Sequence, residues 1–225
     1  EQGRSEDAVA SLEKAIKLNP KIAEAYFKLG EVYTEKNMTE EALSEYTKAI
    51  EVKPGYAEAY YNSGELYASE GRHDKSITAW KKTLELNPKN ADACFNLGVA
   101  YYNQNKLDKA ISMWNKLVEM NPNDYDALTS LADVYDMQSL TDKAIHTWEK
   151  IVEFYPNDAE IQYKLGNAYA KKNMHTTAIP FWERAIEIDP SLVNAYYNLG
   201  LTYQKMGKQD EAIDVYKKIL DINMD

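Results

Sequence analysis

Residues 57–90 read AEAYYNSGELYASEGRHDKSITAWKKTLELNPKN, and variants of this 34-residue stretch fill the chain. The proline near its end recurs every 34 residues without insertion or deletion, as Pro20, Pro54, Pro88, Pro122, Pro156 and Pro190. Proline has no backbone N–H donor and moves the residue before it out of the helical region, so it ends a helix. The spacing therefore marks a structural repeat.

Each repeat divides into two amphipathic halves around position fifteen, when Ala57 is counted as position one. Tyr60 and Tyr67 share helical spacing in the first half, and Trp80 and Leu84 do so in the second. Apolar residues at this spacing are typical of a helix with one buried face. We therefore expect two antiparallel helices of about 14 residues in each repeat, the length of each apolar pattern.

The residue types between these patterns predict where the helices end and begin. Position fifteen carries residues that accept the left-handed conformation in which helices often end, namely Gly3, Asn37, Gly71, Asn105, Ser139, Asn173 and Gly207. Three positions later, the predicted N-caps of the second helices are Asp74, Asp108, Asp142, Thr176 and Asp210. In the first two units Ser5 and Thr39 take this role one residue earlier.

Small and large residues alternate in a way that predicts the core. Position eight is small in every repeat, as Gly30, Gly64, Gly98, Ala132, Gly166 and Gly200. Because glycine weakens a helix, its recurrence predicts that the backbone of a second helix approaches there, opposite the small residues of position twenty, such as Ala42 and Ala110. The aromatic residues of positions eleven and twenty-four, such as Tyr67 and Trp80, are expected to fill the core around this contact.

This combination of small, aromatic and proline positions resembles the tetratricopeptide repeat. The resemblance covers six units, at residues 23–56, 57–90, 91–124, 125–158, 159–192 and 193–225, and residues 1–22 resemble the second helix of a preceding unit. It implies one all-α array over residues 1–225, a right-handed superhelical solenoid of antiparallel helix pairs. In such a solenoid the first helices line a concave groove and the second helices form the convex back.

Charge and composition argue against several kinds of partner. The formal net charge of −10 disfavours nucleic acid, because phosphate binding requires clustered Lys and Arg, and favours neutral to basic protein segments. No apolar run approaches the roughly 20 residues that span a bilayer, so we expect no membrane insertion. The single cysteine, Cys94, fits a reducing compartment, and a cytoplasmic location is expected.

The residue types that catalysis would need are already assigned to packing or turns by the repeat pattern. The glycines fall at positions eight and fifteen, apart from Gly55 in a turn, so none is left for a phosphate-binding loop. His73, His146 and His175 lack the spacing of metal ligands, and Cys94 stands at a core position where a buried, inert thiol is expected. We predict no catalytic residue, no cofactor and no metal site.

The positions that packing leaves free are expected to face the groove. Aromatic rings there supply contact area, and neighbouring carboxamides can bond to the backbone of an extended peptide. Asn62, Asn96 and Asn198 resemble part of the asparagine ladder of O-linked GlcNAc transferases. The predicted peptide-binding residues are Phe27, Tyr61, Asn62, Phe95, Asn96, Tyr102, Thr129, Tyr163, Asn167, Tyr197 and Asn198. An acidic rim of Glu31, Glu65, Asp133 and Asp136 favours basic segments.

The leading hypothesis is a non-catalytic scaffold that binds a peptide segment in this groove. Two alternatives remain open at this point. The chain could be the substrate-recognition arm of a larger enzyme such as a glycosyltransferase, or a scaffold that self-associates through uncapped ends. The second alternative follows from Ile213, Tyr216, Ile219 and Leu220, which we expect to be partly exposed because no further helix follows them.

Overall fold

The computed structural model describes residues 2–222, and the side chains of these residues except 2–5 and 221. The described residues form thirteen α-helices and no strand. The helices are α1 Gln2–Leu18, α2 Ala23–Glu35, α3 Thr39–Val52, α4 Ala57–Ser69, α5 His73–Leu86, α6 Ala91–Asn103, α7 Leu107–Met120, α8 Tyr125–Met137, α9 Thr141–Phe154, α10 Ala159–Lys171, α11 His175–Ile188, α12 Val193–Lys205 and α13 Gln209–Ile222. None of them is both long enough and apolar enough to cross a membrane.

The helices alternate between first helices, which carry positions one to thirteen of a repeat, and second helices. The even-numbered helices from α2 to α12 are first helices, and the odd-numbered helices are second helices. The chain forms two compact units, residues 1–116 and 117–225, and the boundary between them lies within α7. We call these unit 1 and unit 2 and describe each by itself.

Proline ends the second helices as the sequence predicts. Each of the helices α1, α3, α5, α7, α9 and α11 ends two residues before one of the repeated prolines, as Val52 does before Pro54. The residue between them still donates into the helix, since Lys53 N–H bonds to the carbonyl oxygen of Ala49 at 2.9 Å. Only then does the proline prevent a further turn.

The left-handed turns between paired helices are also confirmed. Asn37, Gly71, Asn105, Ser139, Asn173 and Gly207 have φ angles between 55° and 77°. In the first of these turns, Met38 N–H bonds to the carbonyl oxygen of Tyr33 at 2.9 Å and Asn37 N–H bonds to that of Thr34 at 3.0 Å, which is the Schellman arrangement. The prediction is wrong for Gly3, whose backbone is helical because it lies inside α1.

The predicted N-caps of the second helices are wrong. Helices α5, α9 and α11 begin one residue before Asp74, Asp142 and Thr176, and the N-cap residues make no side-chain capping bond. Asp108 and Asp210 are likewise the second residues of α7 and α13, Thr39 is the first residue of α3, and Ser5 lies inside α1. The reason is that the left-handed turn leads directly into the next helix, so the acids stand in its first turn, where they still complement the helix dipole.

Side-chain caps occur instead on three first helices. Asn90, Asp124 and Asp158 each accept a bond from the backbone N–H three residues later, at 2.7, 3.0 and 3.0 Å respectively. These residues stand in the longer connection that follows the proline, where the chain has room for an extended N-cap residue. These caps were not predicted, although an Asn or Asp directly before a helix is the usual sequence signal for one.

The small residue at position eight faces an aromatic ring, which corrects the expectation that it faces a helix backbone. A Cβ atom added to Gly64 would lie 2.5 Å from Nε1 of Trp80, and one added to Gly30 would lie 2.6 Å from Cε1 of Tyr46. The same ring of position twenty-four lies against Gly98, Gly166 and Gly200. The alanines of position twenty, such as Ala42, are fully buried beside these rings. Glycine therefore provides space for the large side chain at position twenty-four.

Candidate functional site

The candidate site is the surface formed by positions five, six, nine and twelve of the first helices, which we call the first-helix face. The aromatic side chains at positions five and twelve reach the ring of position twenty-four, since the ring centroids of Tyr197 and Tyr216 lie 6.4 Å apart and those of Tyr102 and Trp114 lie 6.2 Å apart. Unit 1 presents such a face on α2, α4 and α6, and unit 2 presents one on α8, α10 and α12. Each unit therefore carries its own set of the predicted residues.

The predicted residues differ in how much surface they offer. Phe27 is only 7% exposed and packs against Tyr46 and Tyr56, with ring centroids 5.6 and 4.8 Å away, so it belongs to the core. The half-buried members are Tyr61, Asn62, Phe95, Asn96, Thr129, Tyr163, Asn167 and Asn198. Tyr102 and Tyr197 are the most exposed, at 37% and 55%.

An asparagine at position six bonds across to the preceding repeat in both units. In unit 1, Asn96 Nδ2 donates to Glu65 Oε1 at 2.6 Å and to the Tyr61 hydroxyl at 3.5 Å. In unit 2, Asn198 Nδ2 donates to Asn167 Oδ1 at 2.8 Å and to the Tyr163 hydroxyl at 3.3 Å. The partners lie at the same sequence separations, 31 and 35 residues, in the two units.

These bonds hold the carboxamides in fixed orientations. Asn62 is fixed in a related way, because its Nδ2 donates to the hydroxyl of Tyr46 at 3.3 Å. The asparagines were predicted from the sequence, whereas their hydrogen-bond acceptors at position nine were not. The recurring separation of 31 residues between polar side chains at positions nine and six was the signal available for them.

In one repeat, the residue at position nine gives the buried tryptophan a hydrogen-bond partner, whereas the Nε1 atoms of Trp80 and Trp148 bond to none of the described residues. Trp182 Nε1 donates to Asn167 Oδ1 at 3.0 Å. In repeat 91–124 the corresponding residue is Val99, which has no side-chain acceptor, and the buried Nε1 of Trp114 bonds to none of the described residues. The indole of Trp182 is therefore hydrogen-bonded to the first-helix face, whereas that of Trp114 is not.

Lysines neutralise most of the predicted acidic rim. Asp133 pairs with Lys164 at 2.9 Å, and Asp136 pairs with Lys171 at the same distance. Glu31 pairs with the neighbouring Lys28 at 2.7 Å. No salt bridge of the described residues involves Glu65, the fourth member of the rim. The acidic character of the rim is therefore concentrated at Glu65.

Burial shifts the titration of the two residues that hold Asn96. Desolvation raises the pKa of Glu65, although the hydrogen bond from Asn96 acts in the opposite direction. The pKa of Tyr61 rises to about 12, first because of burial and then because of the negative charges of Glu65 and Asp92. Tyr61 therefore keeps its hydroxyl proton at any physiological pH.

The family comparison follows the repeats seen in the structure. A family model described as TPR repeat matches residues 1–37, 30–71, 64–105 and 167–207. Two models described as tetratricopeptide repeat match residues 91–124 and 193–223, and residues 113–146. The chain is a tetratricopeptide-repeat protein. No curated protein matches it.

Solved structures of other tetratricopeptide-repeat proteins share its fold. A MamA protein is 28% identical with a TM-score of 0.67, over 75% of this chain and 92% of that chain. YrrB, described as a TPR protein with an unusual peptide-binding site, is 26% identical with a TM-score of 0.70, over 83% of this chain and 96% of that chain. A MamA chain from Desulfovibrio magneticus RS-1, 20% identical with a TM-score of 0.64 over 75% and 95% of the two chains, shows the fold alone. Together with the thirteen helices of residues 2–222, these relatives establish an all-α helical-repeat solenoid.

The residues of this tetratricopeptide-repeat protein that could carry chemistry are dispersed or buried. Across residues 2–222, no three His, Cys, Asp or Glu side chains come together in a group that could hold a metal ion. Cys94 is fully buried in unit 1, and burial raises the pKa of its thiol, which keeps the thiol protonated. The first-helix faces are suited to binding through hydrogen bonds and aromatic contact.

Proposed function

We propose that this chain is a non-catalytic scaffold that binds an extended peptide segment of a partner protein on the first-helix face of unit 1. The repeat architecture and its structural relatives support a protein-interaction scaffold. The description of YrrB gives that protein a peptide-binding site, which makes the same class of ligand a reasonable choice here.

The observation that carries the proposal is the fixed carboxamide of Asn96. Its Nδ2 group is held by Glu65 and Tyr61, so its orientation is set before any ligand arrives. A carboxamide oxygen can accept a hydrogen bond from a peptide N–H without reading the side chain of that residue. Because the side chain is already ordered, binding loses less conformational entropy at this position.

The aromatic residues beside Asn96 supply the contact area that carboxamides lack. Phe95 precedes it on α6, and Tyr102 lies two turns further along the same helix with 37% of its surface exposed. Aromatic rings are rigid, so they contribute buried area at a small entropic cost. Hydrogen bonds to the peptide backbone and ring contacts to its side chains can therefore form together.

Glu65 gives this surface a preference for basic segments. It is the member of the acidic rim that no lysine neutralises among the described residues. A Lys or Arg side chain of the peptide could approach its carboxylate while the peptide backbone contacts Asn96. We therefore propose partners that carry a basic residue within the bound segment.

The proposal can be tested with a display library of random short peptides selected against the protein. The affinity of a selected peptide is then measured by fluorescence anisotropy for Asn96→Ala and Glu65→Gln. We expect Asn96→Ala to weaken all selected peptides by about tenfold, and Glu65→Gln to weaken mainly those with Lys or Arg. Lys150→Ala, an exposed change on second helix α9, serves as the matched control. Equal affinity of all four proteins would refute the proposal.

Self-association is a second candidate function, favoured by an apolar surface on the last two helices. Tyr197, Ile213 and Leu220 are 55%, 49% and 64% exposed, and Tyr216 and Ile219 are half-buried. Sedimentation velocity of wild type and of Ile213→Glu/Leu220→Glu tests this. A concentration-dependent increase in mass that the double variant loses supports self-association, and monomers throughout contradict it. A role as the arm of a larger enzyme stays a prediction from the asparagine resemblance.

A further inference from the structure

Unit 1 contains an open cleft on the side of the second helices, away from the first-helix face. It has a volume of about 750 Å³ and is lined by residues of α3, α4 and α5. The lining residues include Ile50, Tyr60, Ser63, Tyr67 and Ala79, together with Lys75, Lys81 and Lys82. We call it the Ser63 cleft. None of the predicted peptide-binding residues lines it.

The cleft is open because one residue of this repeat is smaller than its counterparts in the other repeats. Position seven is Ser63 in repeat 57–90, whereas the other five repeats have leucines there, Leu29, Leu97, Leu131, Leu165 and Leu199. These leucines are at most 4% exposed and fill the space between neighbouring helices. The hydroxyl of Ser63 turns back to donate to the carbonyl oxygen of Ala59 at 2.7 Å. The space that leucine fills elsewhere is therefore open here.

In unit 2, two tyrosines that correspond to the tyrosine of this cleft each bond to a glutamate. Position eleven of a repeat meets position twenty-five of the preceding one, where Tyr169 donates to Glu149 at 2.5 Å and Tyr203 donates to Glu183 at 3.0 Å. The corresponding tyrosine of the cleft is Tyr67, and its neighbour at position twenty-five is Thr47.

The hydroxyl of Thr47 donates to the carbonyl oxygen of Leu43 in its own helix, at 2.8 Å. Of the described residues, none offers a carboxylate that bonds to the hydroxyl of Tyr67. Tyr67 therefore lacks the acidic partner that its two counterparts in unit 2 have.

The charges around the cleft favour an incoming carboxylate. Three lysines and one glutamate line it, and that glutamate, Glu85, is paired with Lys82 at 2.7 Å. Lys75 Nζ lies over the ring of Tyr67, 5.4 Å from its centroid, so a positive charge is close to this tyrosine. Repeat 57–90 has as many basic as acidic residues, in a chain whose net charge is −10.

We propose that the Ser63 cleft binds an acidic peptide segment of a partner protein. An apolar side chain of the segment enters the space beside Ser63. A neighbouring carboxylate of the segment accepts a hydrogen bond from the hydroxyl of Tyr67, close to Lys75. This site is separate from the first-helix face and takes a ligand of the opposite charge. One protein could therefore hold a basic and an acidic segment at the same time.

The proposal is tested with a fluorescein-labelled synthetic peptide in which Asp and Leu alternate between Gly-Ser ends. Two matched peptides replace every Asp by Asn, or every Leu by Ala. We expect saturable binding of the Asp-Leu peptide, weakened by added salt, and binding of each matched peptide that is about tenfold weaker or less. Failure of the Asp-Leu peptide to bind, or equal binding of all three, would overturn the proposal.

Two variants locate the site by using residues that other repeats already carry. Ser63→Leu fills the cleft, and Thr47→Glu gives Tyr67 the carboxylate partner that Tyr169 has. Each is expected to weaken the Asp-Leu peptide by about tenfold, with a melting temperature equal to or above that of wild type. Lys150→Ala on α9 is the control and should bind as wild type does. Unchanged affinity of both variants would place the peptide elsewhere and overturn the assignment.

Discussion

At the scale of single residues, the buried tryptophans differ in their hydrogen bonds, because Trp182 has an acceptor and Trp114 bonds to none of the described residues. Trp182 donates to Asn167, which also accepts from Asn198, so one carboxamide oxygen serves two donors in unit 2. Trp114 lies over Gly98 in the same way, but the neighbouring Val99 offers no acceptor. A buried donor without a partner costs free energy that a single amide could recover.

This difference predicts opposite effects for two exchanges at position nine. Asn167→Val removes the acceptor of both Trp182 and Asn198 and should lower the free energy of unfolding by about 1–3 kcal/mol. Val99→Asn supplies an acceptor to Trp114 and should raise it by about 0.5–1.5 kcal/mol. Urea denaturation measures both. Loss of stability in Val99→Asn would show that the apolar contacts of Val99 outweigh the new hydrogen bond.

The raised pKa values of four tyrosines predict a loss of stability at high pH. Burial and the hydrogen bond to Glu149 raise the pKa of Tyr169 to about 12, and Tyr61, Tyr125 and Tyr203 reach about the same value. A tyrosine of the unfolded chain has a pKa of about 10. The folded state therefore holds these protons more tightly, and this stabilisation is complete below pH ~10 and is lost as the pH rises to ~12.

Denaturation curves at increasing alkaline pH test this prediction. Wild type should lose stability more steeply above pH ~10 than Tyr169→Phe does, because the variant has no hydroxyl to ionise at that site. Glu149→Gln keeps the tyrosine but removes the charge that disfavours its ionisation, and should lie between the two. Identical pH dependence in all three proteins would contradict the assignment.

At the scale of helices, the aromatic ring packed against position eight predicts that a residue of higher helix propensity will not stabilise the protein there. Gly64→Ala improves the intrinsic propensity of α4 by about 1 kcal/mol. The new methyl group would nevertheless lie within 2.6 Å of ring atoms of Trp80, which must then move. We expect a net loss of about 1–3 kcal/mol in the free energy of unfolding. A more stable Gly64→Ala protein would show that the ring moves at little cost.

The helix ends show which features can be predicted from sequence. Pro54 and Asn37 act through the backbone of their own segment, so their positions suffice to predict a helix end and a left-handed turn. The N-cap prediction for Asp74 is wrong because the helix begins directly after the turn, and that depends on the geometry of both connected helices. Features that depend on one segment of backbone can be predicted from the sequence. The residue at which the following helix begins depends on two connected elements and is harder to predict.

The candidate site shows the same limit. Asn96 and Tyr61 could be chosen from sequence because the repeated small, aromatic and proline positions do not include positions five and six. Their mutual hydrogen bond, and that of Asn96 with Glu65, joins residues 31 to 35 positions apart and depends on the register of neighbouring repeats. The burial of Phe27 depends likewise on Tyr46 and Tyr56, which reach it from other helices.

At the scale of the whole molecule, stability in a repeat protein is approximately a sum over neighbouring repeats. Trp182 is 2% exposed in the core of unit 2, where it packs with Ala178 and Leu199. Trp182→Ala should therefore destabilise its surroundings by about 3–5 kcal/mol and leave unit 1 largely unaffected. Hydrogen exchange followed by mass spectrometry should show faster exchange in α10 to α12 and unchanged exchange in α4. Uniformly faster exchange would indicate that the chain unfolds as one cooperative body.

NMR of the isotope-labelled protein shows whether a partner peptide binds the first-helix face of unit 1. A lysine-containing peptide selected from the display library is titrated into the protein, and the side-chain amide signals of its asparagines are followed. We expect saturable shifts of the Asn96 side-chain amide and of backbone amides in α4 and α6, and weaker binding of the peptide to Glu65→Gln. Shifts confined to other surfaces, with Asn96 unchanged at saturation, would contradict it.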